Sequence, residues 1–326
     1  GFGREGGREG LWEYVKPAWT VAAAPSTSDE PVTAPVASQP ESEPSTLDRT
    51  PKMYVGGRQV RPDGGYVRTV HGPEGEVLGQ VGEGNRKDVR NAVAAARQAS
   101  GWGRTSGHQR AQVLYYIAEN LEPRAEELAG RIARATGRGM DAALREVSLS
   151  SERLFTWAAW ADKYDGRVHD TGARQFTFAL NEPIGTIGVA CPDDWPLLAF
   201  VSATVPAIAL GNTVVAIPSE RHPLAVTDLY QVLDTSDLPG GVLNIVTGAR
   251  EPLAEVLAEH DDVDAVWHFG SAEGAAEVKR RSVGNLKRTW CDHGRPRAWD
   301  DPVQGAGSEF RRASVQVKNV WTPYGA

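Results

Sequence analysis

The feature that most constrains this chain is a regular alternation of strand-like and helical segments between residues 184 and 294. Five β-rich runs, among them "IGTIGVAC", "TVVAI" and "VDAVWHFG", are separated by helical stretches such as "PLAEVLAEH". Because parallel neighbours need crossover connections, this alternation predicts a five-stranded parallel sheet with helices on its faces, an α/β fold. Such sheets bind ligands beyond the carboxyl ends of their strands. Those ends carry Pro192–Trp195, Pro218–Glu220, Thr247–Gly248 and Phe269–Ser271.

The residues before this region predict a helical layer. Short strand-like pieces with Gly and Pro turns occupy residues 53–60 and 65–81. Apolar residues at helical spacing follow between residues 86 and 166. One aromatic cluster in this layer is interpreted as helix-packing core, and it comprises Phe155, Trp157, Trp160 and Tyr164.

Charge and composition disfavour several classes of function. Among 326 residues, 42 acidic side chains outnumber 35 basic ones, and the net charge of −7 disfavours a broad electrostatic contact with nucleic acid or an anionic membrane. The longest apolar run is interrupted by Asp193 and Asp194 and is too short to span a bilayer. With two cysteines, Cys191 and Cys291, no disulfide framework is implied, and a reducing, cytoplasmic compartment fits best. No two histidines have metal-ligand spacing, so we expect no metal site.

A repeated ending suggests that two modules contribute to the chain. The sequence "VKPAWT" near the amino terminus recurs as "VKNVWT" near the carboxyl terminus, and each copy follows a Gly-x-Gly-x-Glu run. We therefore expect residues 1–21 to be the tail of an upstream module. Residues 22–51 are rich in Pro, Ser, Thr and acids and lack aromatic residues, which predicts a disordered linker. A structured surface loop is the alternative.

Five motifs of the chain together resemble one known family. They are "ADKYDG", "NEPIGTIGVACP", "IALGNTVVAIPSE", "DLPGGVLNIVTG" and "HFGSAEG", and they are similar to the cofactor-binding domain of the aldehyde dehydrogenase superfamily. The resemblance runs from about Tyr54 to Gly294. It implies a Rossmann-like fold that binds NAD without the G-x-G-x-x-G fingerprint. On this basis we assign residues 52–300 to that domain and residues 301–326 to a terminal oligomerisation strand.

The resemblance implies four cofactor-binding residues. Glu220 matches the glutamate that binds the adenosine ribose, and Gly248 matches the glycine after the third strand. Gly270 and Ser271 match the end of the family's "TGS" turn, which opens a helix beneath the pyrophosphate. Ile217 stands where the family has a ribose-binding lysine. Because a charge-assisted contact is lost there, we expect NAD binding to be weak.

Other positions depart from the family's catalytic pattern. Asp194 replaces the asparagine whose amide donates to the oxyanion, and a carboxylate there would repel the developing negative charge. Asp292 stands one methylene short of the general-base glutamate, and bulky Phe269 replaces the threonine of "TGS", where it would crowd the nicotinamide end. About 20 residues separate this position from the terminal strand, so we expect this chain not to contain the family's catalytic domain with its nucleophilic cysteine. We therefore regard Asp194 and Asp292 as degenerate positions.

Cys291 is the one weak candidate for a nucleophile. Cys291 and His293 are predicted to share one face of a strand, from which Asp292 points away. A thiolate–imidazole dyad is therefore conceivable. A buried thiol at a strand end is the favoured alternative, and no catalytic residue is assigned.

The leading interpretation is a non-catalytic module with an assembly role in a larger aldehyde dehydrogenase. It resembles the truncated second unit of the two-module enzymes called aldehyde dehydrogenase family sixteen. One alternative is NAD-dependent oxidation of an aldehyde to a carboxylic acid, with the catalytic cysteine in an upstream module. Another is an NAD-binding sensor.

The expected partners are the upstream module and further copies of the chain, joined through edge strands, and not nucleic acid or a membrane. A hairpin at about residues 167–179 is expected to contribute. Val15–Thr20 and Val317–Thr322 are each expected to pair with a sheet of a module other than the one they end. Folding back onto the strand's own sheet is the alternative.

Overall fold

The computed structural model of the protein describes residues 50–172 and 174–324. Its strands are β1 (Met53–Tyr54), β2 (Gln59–Val60), β3 (Val67–His71), β4 (Val77–Gly82), β5 (Gly166–Asp170), β6 (Gln175–Pro183), β7 (Thr186–Ala190), β8 (Thr213–Ile217), β9 (Leu243–Ile245), β10 (Ala265–His268), β11 (Arg288–Cys291) and β12 (Val315–Pro323). Its α-helices are α1 (Arg86–Gln98), α2 (Gly107–Leu121), α3 (Ala125–Thr136), α4 (Met140–Trp160), α5 (Leu198–Ala209), α6 (Leu224–Thr227), α7 (Tyr230–Asp234), α8 (Arg250–Glu259), α9 (Ala272–Arg281), α10 (Pro302–Ala306) and α11 (Ser308–Ala313). None of these helices is long and apolar enough to cross a bilayer.

The predictions for the amino-terminal region lie outside the described residues. They concern the tail of residues 1–21, its "VKPAWT" strand, and all but the last two residues of the linker at 22–51.

The central sheet has the strand order β11-β10-β7-β8-β9-β1-β2. Strands β7 to β11 all pair in parallel, so the predicted five-stranded parallel sheet is confirmed. The short strands β1 and β2 extend it beyond β9 by antiparallel pairing, which the local sequence pattern did not predict. The strand order reverses at β7, because β8 and β9 lie on one side of it and β10 and β11 on the other. This reversal places a crevice at the carboxyl ends of β7 and β10.

Successive residues of the buried strands face two separate cores. In β8, Val214 packs with the helices α2, α4 and α5, whereas Val215 packs with α1, α8 and α9. Strands β7 and β8 are buried on both faces, as is typical of a parallel sheet covered by helices. Three of the four predicted aromatic core residues are in the core, since Trp157 is fully buried and Phe155 and Trp160 pack against the same cluster. Tyr164 is half-buried, and its ring centre lies 5.5 Å from the Arg311 guanidinium carbon.

A second, three-stranded antiparallel sheet has the order β12-β6-β5. The hairpin expected at about residues 167–179 is present as β5 and β6. Strand β12 pairs along its whole length with β6 of its own chain, beginning with Val315 opposite Pro183, which is the alternative of folding back onto its own sheet. Pairing of Val317–Thr322 with the sheet of another module stays a prediction.

Residues 292–314, which we call the closing segment, explain why the terminal strand returns to its own sheet. This segment forms α10 and α11, so the terminal strand begins at residue 315 and not at the predicted residue 301. The carbonyl oxygen of Ser314 accepts a hydrogen bond from Asn212 Nδ2 at 2.8 Å. The carbonyl oxygen of Val315 accepts one from Arg288 Nη1 at 2.9 Å. These two bonds fix the start of β12 beside β6.

Candidate functional site

The crevice at the carboxyl ends of β7 and β10 is the candidate site, because ligands of such sheets bind where the strand order reverses. The turn 191–195 follows β7, and the turn 269–271 follows β10. The first two residues of α8, Arg250 and Glu251, reach into contact with both turns. The crevice is therefore built from three segments that are remote from one another in the sequence.

Asp193 and Arg250 bridge one side of the crevice. Asp193 Oδ1 accepts hydrogen bonds from Ser219 Oγ at 2.8 Å and from the Arg221 backbone N–H at 3.1 Å. Arg250 Nη1 donates to Asp193 Oδ2 and to the carbonyl oxygen of Cys191, both at 3.1 Å. Burial raises the pKa of the Asp193 carboxyl, but the charge of Arg250 and the hydrogen bonds outweigh it and hold that pKa below its ordinary value. An ion pair thus joins the end of β7 to the start of α8.

Glu251 fills the other side of the crevice. Its Oε2 lies 2.8 Å from His268 Nε2, and its Oε1 accepts a hydrogen bond from Ser271 Oγ at 3.3 Å. The carboxylate lies over the first turn of α9, because a Cβ atom placed on Gly274 would be 1.9 Å from Glu251 Oε2. Burial raises the pKa of Glu251, but the hydrogen bond with His268 and the nearby Arg250 charge lower it below its ordinary value. A negative charge therefore stands at a helix N-terminus, where an external anion would bind most favourably.

Two of the predicted cofactor-binding residues, Glu220 and Ser271, lie at this crevice but contact protein groups. Glu220 Oε2 accepts a hydrogen bond from the Arg250 backbone N–H at 2.8 Å, and its Oε1 lies 3.5 Å from Arg68 Nη1. Ser271 Oγ accepts a hydrogen bond from the Gly274 N–H at 2.9 Å and so caps α9. Both side chains therefore already have partners within the chain.

The two predicted cofactor-binding glycines are required by the packing of the chain on itself. A Cβ atom on Gly270 would lie 2.7 Å from His268 Cε1. Gly248 has a φ of +154°, and a Cβ atom there would lie 2.8 Å from Leu253 Cδ1. Ile217, at the position of the family's lysine, is fully buried in the core beneath α1 and α8. It offers the crevice no polar group.

The position of the family's general base is held in an ion pair. Asp292 accepts two hydrogen bonds from Arg297, from Nε at 2.7 Å and from Nη2 at 2.9 Å. The Arg297 side chain is only 2% exposed, and its Nη1 also lies 3.3 Å from Glu309 Oε2. Its guanidinium carbon lies 5.2 to 5.6 Å from the centres of four aromatic rings, those of Phe269, Trp290, Trp299 and Phe310. Phe269, expected to crowd the nicotinamide end, packs among these rings.

Cys291 and His293 do not share a strand face, so that prediction is wrong. Strand β11 ends at Cys291, and His293 lies in a turn with a left-handed φ of 55°. His293 Nε2 lies 2.9 Å from Lys279 Nζ. Burial raises the pKa of the Cys291 thiol to about 11, and burial raises the pKa of Cys191 as well. Within residues 50–172 and 174–324, no group of three or more His, Cys, Asp or Glu side chains is arranged to hold a metal ion.

Asp194 is exposed and lies in a turn whose following residues contact Arg138 and the buried Glu146. The next residue, Trp195, has a φ of 52°, which is uncommon for a bulky side chain. The Arg138 guanidinium lies 4.8 Å from the centre of the Trp195 ring. Glu146 is fully buried and accepts a hydrogen bond from the Leu197 N–H at 2.8 Å, at the start of α5. The turn therefore presents a carboxylate where the resemblance places an amide donor.

Comparison with known proteins places the chain in a family. Residues 60–295 match the model of the aldehyde dehydrogenase family. This chain belongs to that family. The NADP/NAD-dependent aldehyde dehydrogenase PuuC of Escherichia coli K12 is 34% identical over 222 residues, which cover 67% of this chain and 45% of that protein. Aldehyde dehydrogenase 1A1 of Equus caballus is 34% identical over 231 residues, with the same two shares.

Solved structures of aldehyde dehydrogenases share the fold. The NAD+ complex of the Bacillus cereus enzyme has a TM-score of 0.72 and 28% identity, and the match covers 74% of this chain and 50% of that one. Betaine aldehyde dehydrogenase of Staphylococcus aureus, also with NAD+, has a TM-score of 0.71 and 25% identity over 74% and 49% of the two chains. The chain thus spans about half the length of the relatives it matches.

The residues of this chain do not fit a dinucleotide of the kind bound in those two structures. Glu251 places a carboxylate over the first turn of α9, Arg250 crosses the crevice, and Ile217 provides no cation. Sequence reasoning missed Arg250 and Glu251. The signal was available, because two charged residues, two and three positions after Gly248, follow the carboxyl end of a buried strand. The pairing of Arg297 with Asp292 had no comparable signal.

Proposed function

We propose that this chain is a non-catalytic module of the aldehyde dehydrogenase family with a structural role in the assembly of a larger aldehyde dehydrogenase. The observation that carries the proposal is the bidentate ion pair between Asp292 and the buried Arg297. A general base must have a free oxygen within hydrogen-bond reach of the proton that it removes. Each oxygen of Asp292 accepts a hydrogen bond from Arg297, so the carboxylate is held in this ion pair and cannot turn toward a substrate without breaking it. Breaking the pair would leave a buried charge without its partner.

The other groups of the chain support this absence of catalysis. Cys291, with a pKa of about 11, is a neutral thiol at physiological pH and a poor nucleophile. Asp194 presents negative charge where an oxyanion would form. Oxidation of an aldehyde with NAD would then belong to another module of the parent protein, as in the resemblance to two-module aldehyde dehydrogenases.

The assembly role is supported by one face of the three-stranded sheet. Strand register puts a set of apolar side chains on this face, which we call the apolar face. Their exposed fractions range from 37% to 63%, and the set comprises Val168, Phe176, Leu180, Val320 and Tyr324. Exposed apolar side chains that are grouped on one face of a sheet favour a contact site there. We assign to it another aldehyde dehydrogenase module, either the upstream one or that of a second copy of the chain.

The two outer strands of this sheet also support an assembly role. Strands β5 and β12 each have a ladder edge that pairs with no strand in the described part of the chain. Such an edge can accept a strand of a neighbouring sheet, and uncovered edges favour aggregation. A neighbouring module would cover the apolar face and an edge together.

The assembly role can be tested with substitutions on the two faces of the three-stranded sheet. Phe176→Ser combined with Val320→Ser removes apolar surface from the apolar face, whereas Trp321→Ser alters the opposite face. Mass from light scattering after size-exclusion chromatography should exceed one chain for the wild type and fall for the double variant. The Trp321→Ser control should keep the wild-type mass. A wild-type mass of one chain, with no association of a co-expressed upstream module, would contradict the assembly role.

A further inference from the structure

The crevice is filled by the chain's own charged side chains in an arrangement that imitates a bound ligand. Arg250 and Glu251 are consecutive residues at the start of α8, and they extend to opposite sides of the crevice. Arg250 donates to Asp193 and to a carbonyl oxygen at the end of β7. Glu251 contacts His268 and Ser271 at the end of β10. The two residues therefore join the strand ends between which a ligand of this fold would lie.

The carboxylate of Glu251 takes the place of an anion. It accepts a hydrogen bond from Ser271 Oγ, the N-cap side chain of α9, and lies against Gly274 in the first turn. A helix N-terminus attracts a phosphate through its free N–H groups and its dipole. With a carboxylate already there, a pyrophosphate would meet like charge at close range in addition to steric overlap.

Arg250 stabilises the position of Glu251 from the side of the crevice that is formed by the end of β7. The Arg250 side chain is 15% exposed, and its Nε lies 3.6 Å from Glu251 Oε1. Its backbone N–H donates to Glu220 at 2.8 Å, so the residue expected to bind ribose is drawn toward the same helix end. Buried polar groups that have partners resist displacement, because a ligand would have to replace every contact that it breaks.

We infer that Arg250 and Glu251 form a built-in plug that occupies the pyrophosphate position and prevents dinucleotide binding. The inference is independent of the assembly role, because the apolar face lies on a different sheet. The plug is also a cause of weak dinucleotide binding that is separate from the replacement of the family's lysine by Ile217. Removing the plug should restore an anion site even though that lysine is absent.

The plug can be tested by titration calorimetry with inorganic pyrophosphate and with NAD+. The variants are Glu251→Gln, which removes only the charge, and the double variant Arg250→Ala with Glu251→Ala, which opens the crevice. Glu255→Gln is the matched control, because Glu255 lies on the same helix and pairs with Arg281 at 3.0 Å, away from the crevice. Circular dichroism melting checks that each variant is folded, and Glu251→Gln keeps the test decisive if the double variant unfolds.

The expected result is no detectable binding of either probe to the wild type or to Glu255→Gln. Pyrophosphate should bind at least about tenfold more tightly to Glu251→Gln than to the wild type, because a like charge within about 4 Å has been removed. NAD+ should bind measurably to the folded double variant. The inference is overturned if the wild type binds NAD+ as tightly as the double variant, or if the folded variants bind neither probe.

Discussion

The crevice of the central sheet and the apolar face of the three-stranded sheet differ in how far their side chains are occupied by contacts within the chain. At the crevice, Asp193, Arg250 and Glu251 all have partners within the chain. On the apolar face, Phe176 and Tyr324 stack on each other at 4.6 Å between ring centres, yet each remains 49% exposed. At the crevice the charged side chains are paired within the chain, whereas on the apolar face large apolar side chains remain exposed.

The two regions therefore differ in what their side chains stabilise: the folded chain itself, or its association with another module. The crevice and the closing segment use charged groups to complete the chain's own structure, so changes there should act on stability. The apolar face contributes little to the chain's own core, so changes there should act on association.

The largest expected effect is at the centre of the closing segment. Arg297→Ala would leave Asp292 and Glu309 half-buried without their cation, which should lower the free energy of unfolding by about 3 to 5 kcal/mol. Urea unfolding followed by circular dichroism measures it. Arg145→Ala is the matched control, because its pair with Asp300 is exposed and 3.5 Å apart, and it should cost less than about 1 kcal/mol. Equal losses in the free energy of unfolding for the two substitutions would show that the ion pairs of Arg297 stabilise the chain no more than an exposed pair does.

A second prediction concerns the reactivity of the thiol beside the closing segment. Because burial raises the pKa of Cys291 from 9.0 to about 11, its thiolate fraction near neutral pH should be about a hundredfold below that of an ordinary thiol. Its alkylation by iodoacetamide, followed by mass spectrometry, should be slow at pH 8 and should accelerate until the pH passes about 11. The urea-unfolded chain provides the reference thiol. Fast alkylation of the folded chain at neutral pH would show an activated cysteine instead.

The smallest expected effect is on stability at the apolar face. Val320→Ser replaces a side chain that is 37% exposed, so the free energy of unfolding of the isolated chain should change by only about 0.5 kcal/mol. Val315→Ser, on the same strand but 2% exposed, is the control and should cost about 2 kcal/mol or more. Chemical denaturation at low protein concentration measures both. A large loss for Val320→Ser would mean that the apolar face belongs to the chain's own core.

The sequence could predict the parallel sheet because its signal is local. Each strand is a short apolar run, and its helix follows within a few residues, so pattern alone gives the order of elements. The aromatic residue Trp157 could be assigned to the core for the same reason. The resemblance then located Glu220 and Ser271 at the crevice, since strand ends of a parallel sheet meet at one edge.

The rest depended on contacts between residues far apart in the sequence. The sequence could not decide that β12 pairs with β6 of its own chain, because the start of the strand is fixed by Asn212 and Arg288, which lie well outside it. Cys291 and His293 were placed on one strand face because the end of β11 was not visible from local pattern. Glu251 lies 17 positions from His268, and only the fold shows that these side chains meet across the crevice.

The central claim, that this chain is a non-catalytic member of its family, is tested most directly by a turnover measurement. Purified chain is incubated with NAD+ and a simple aldehyde, and NADH formation is followed by absorbance for the wild type and for Cys291→Ala. With Asp292 bound to Arg297 and Cys291 protonated, the account predicts no NADH above the protein-free rate for either. NADH formation by the wild type that Cys291→Ala abolishes would contradict it.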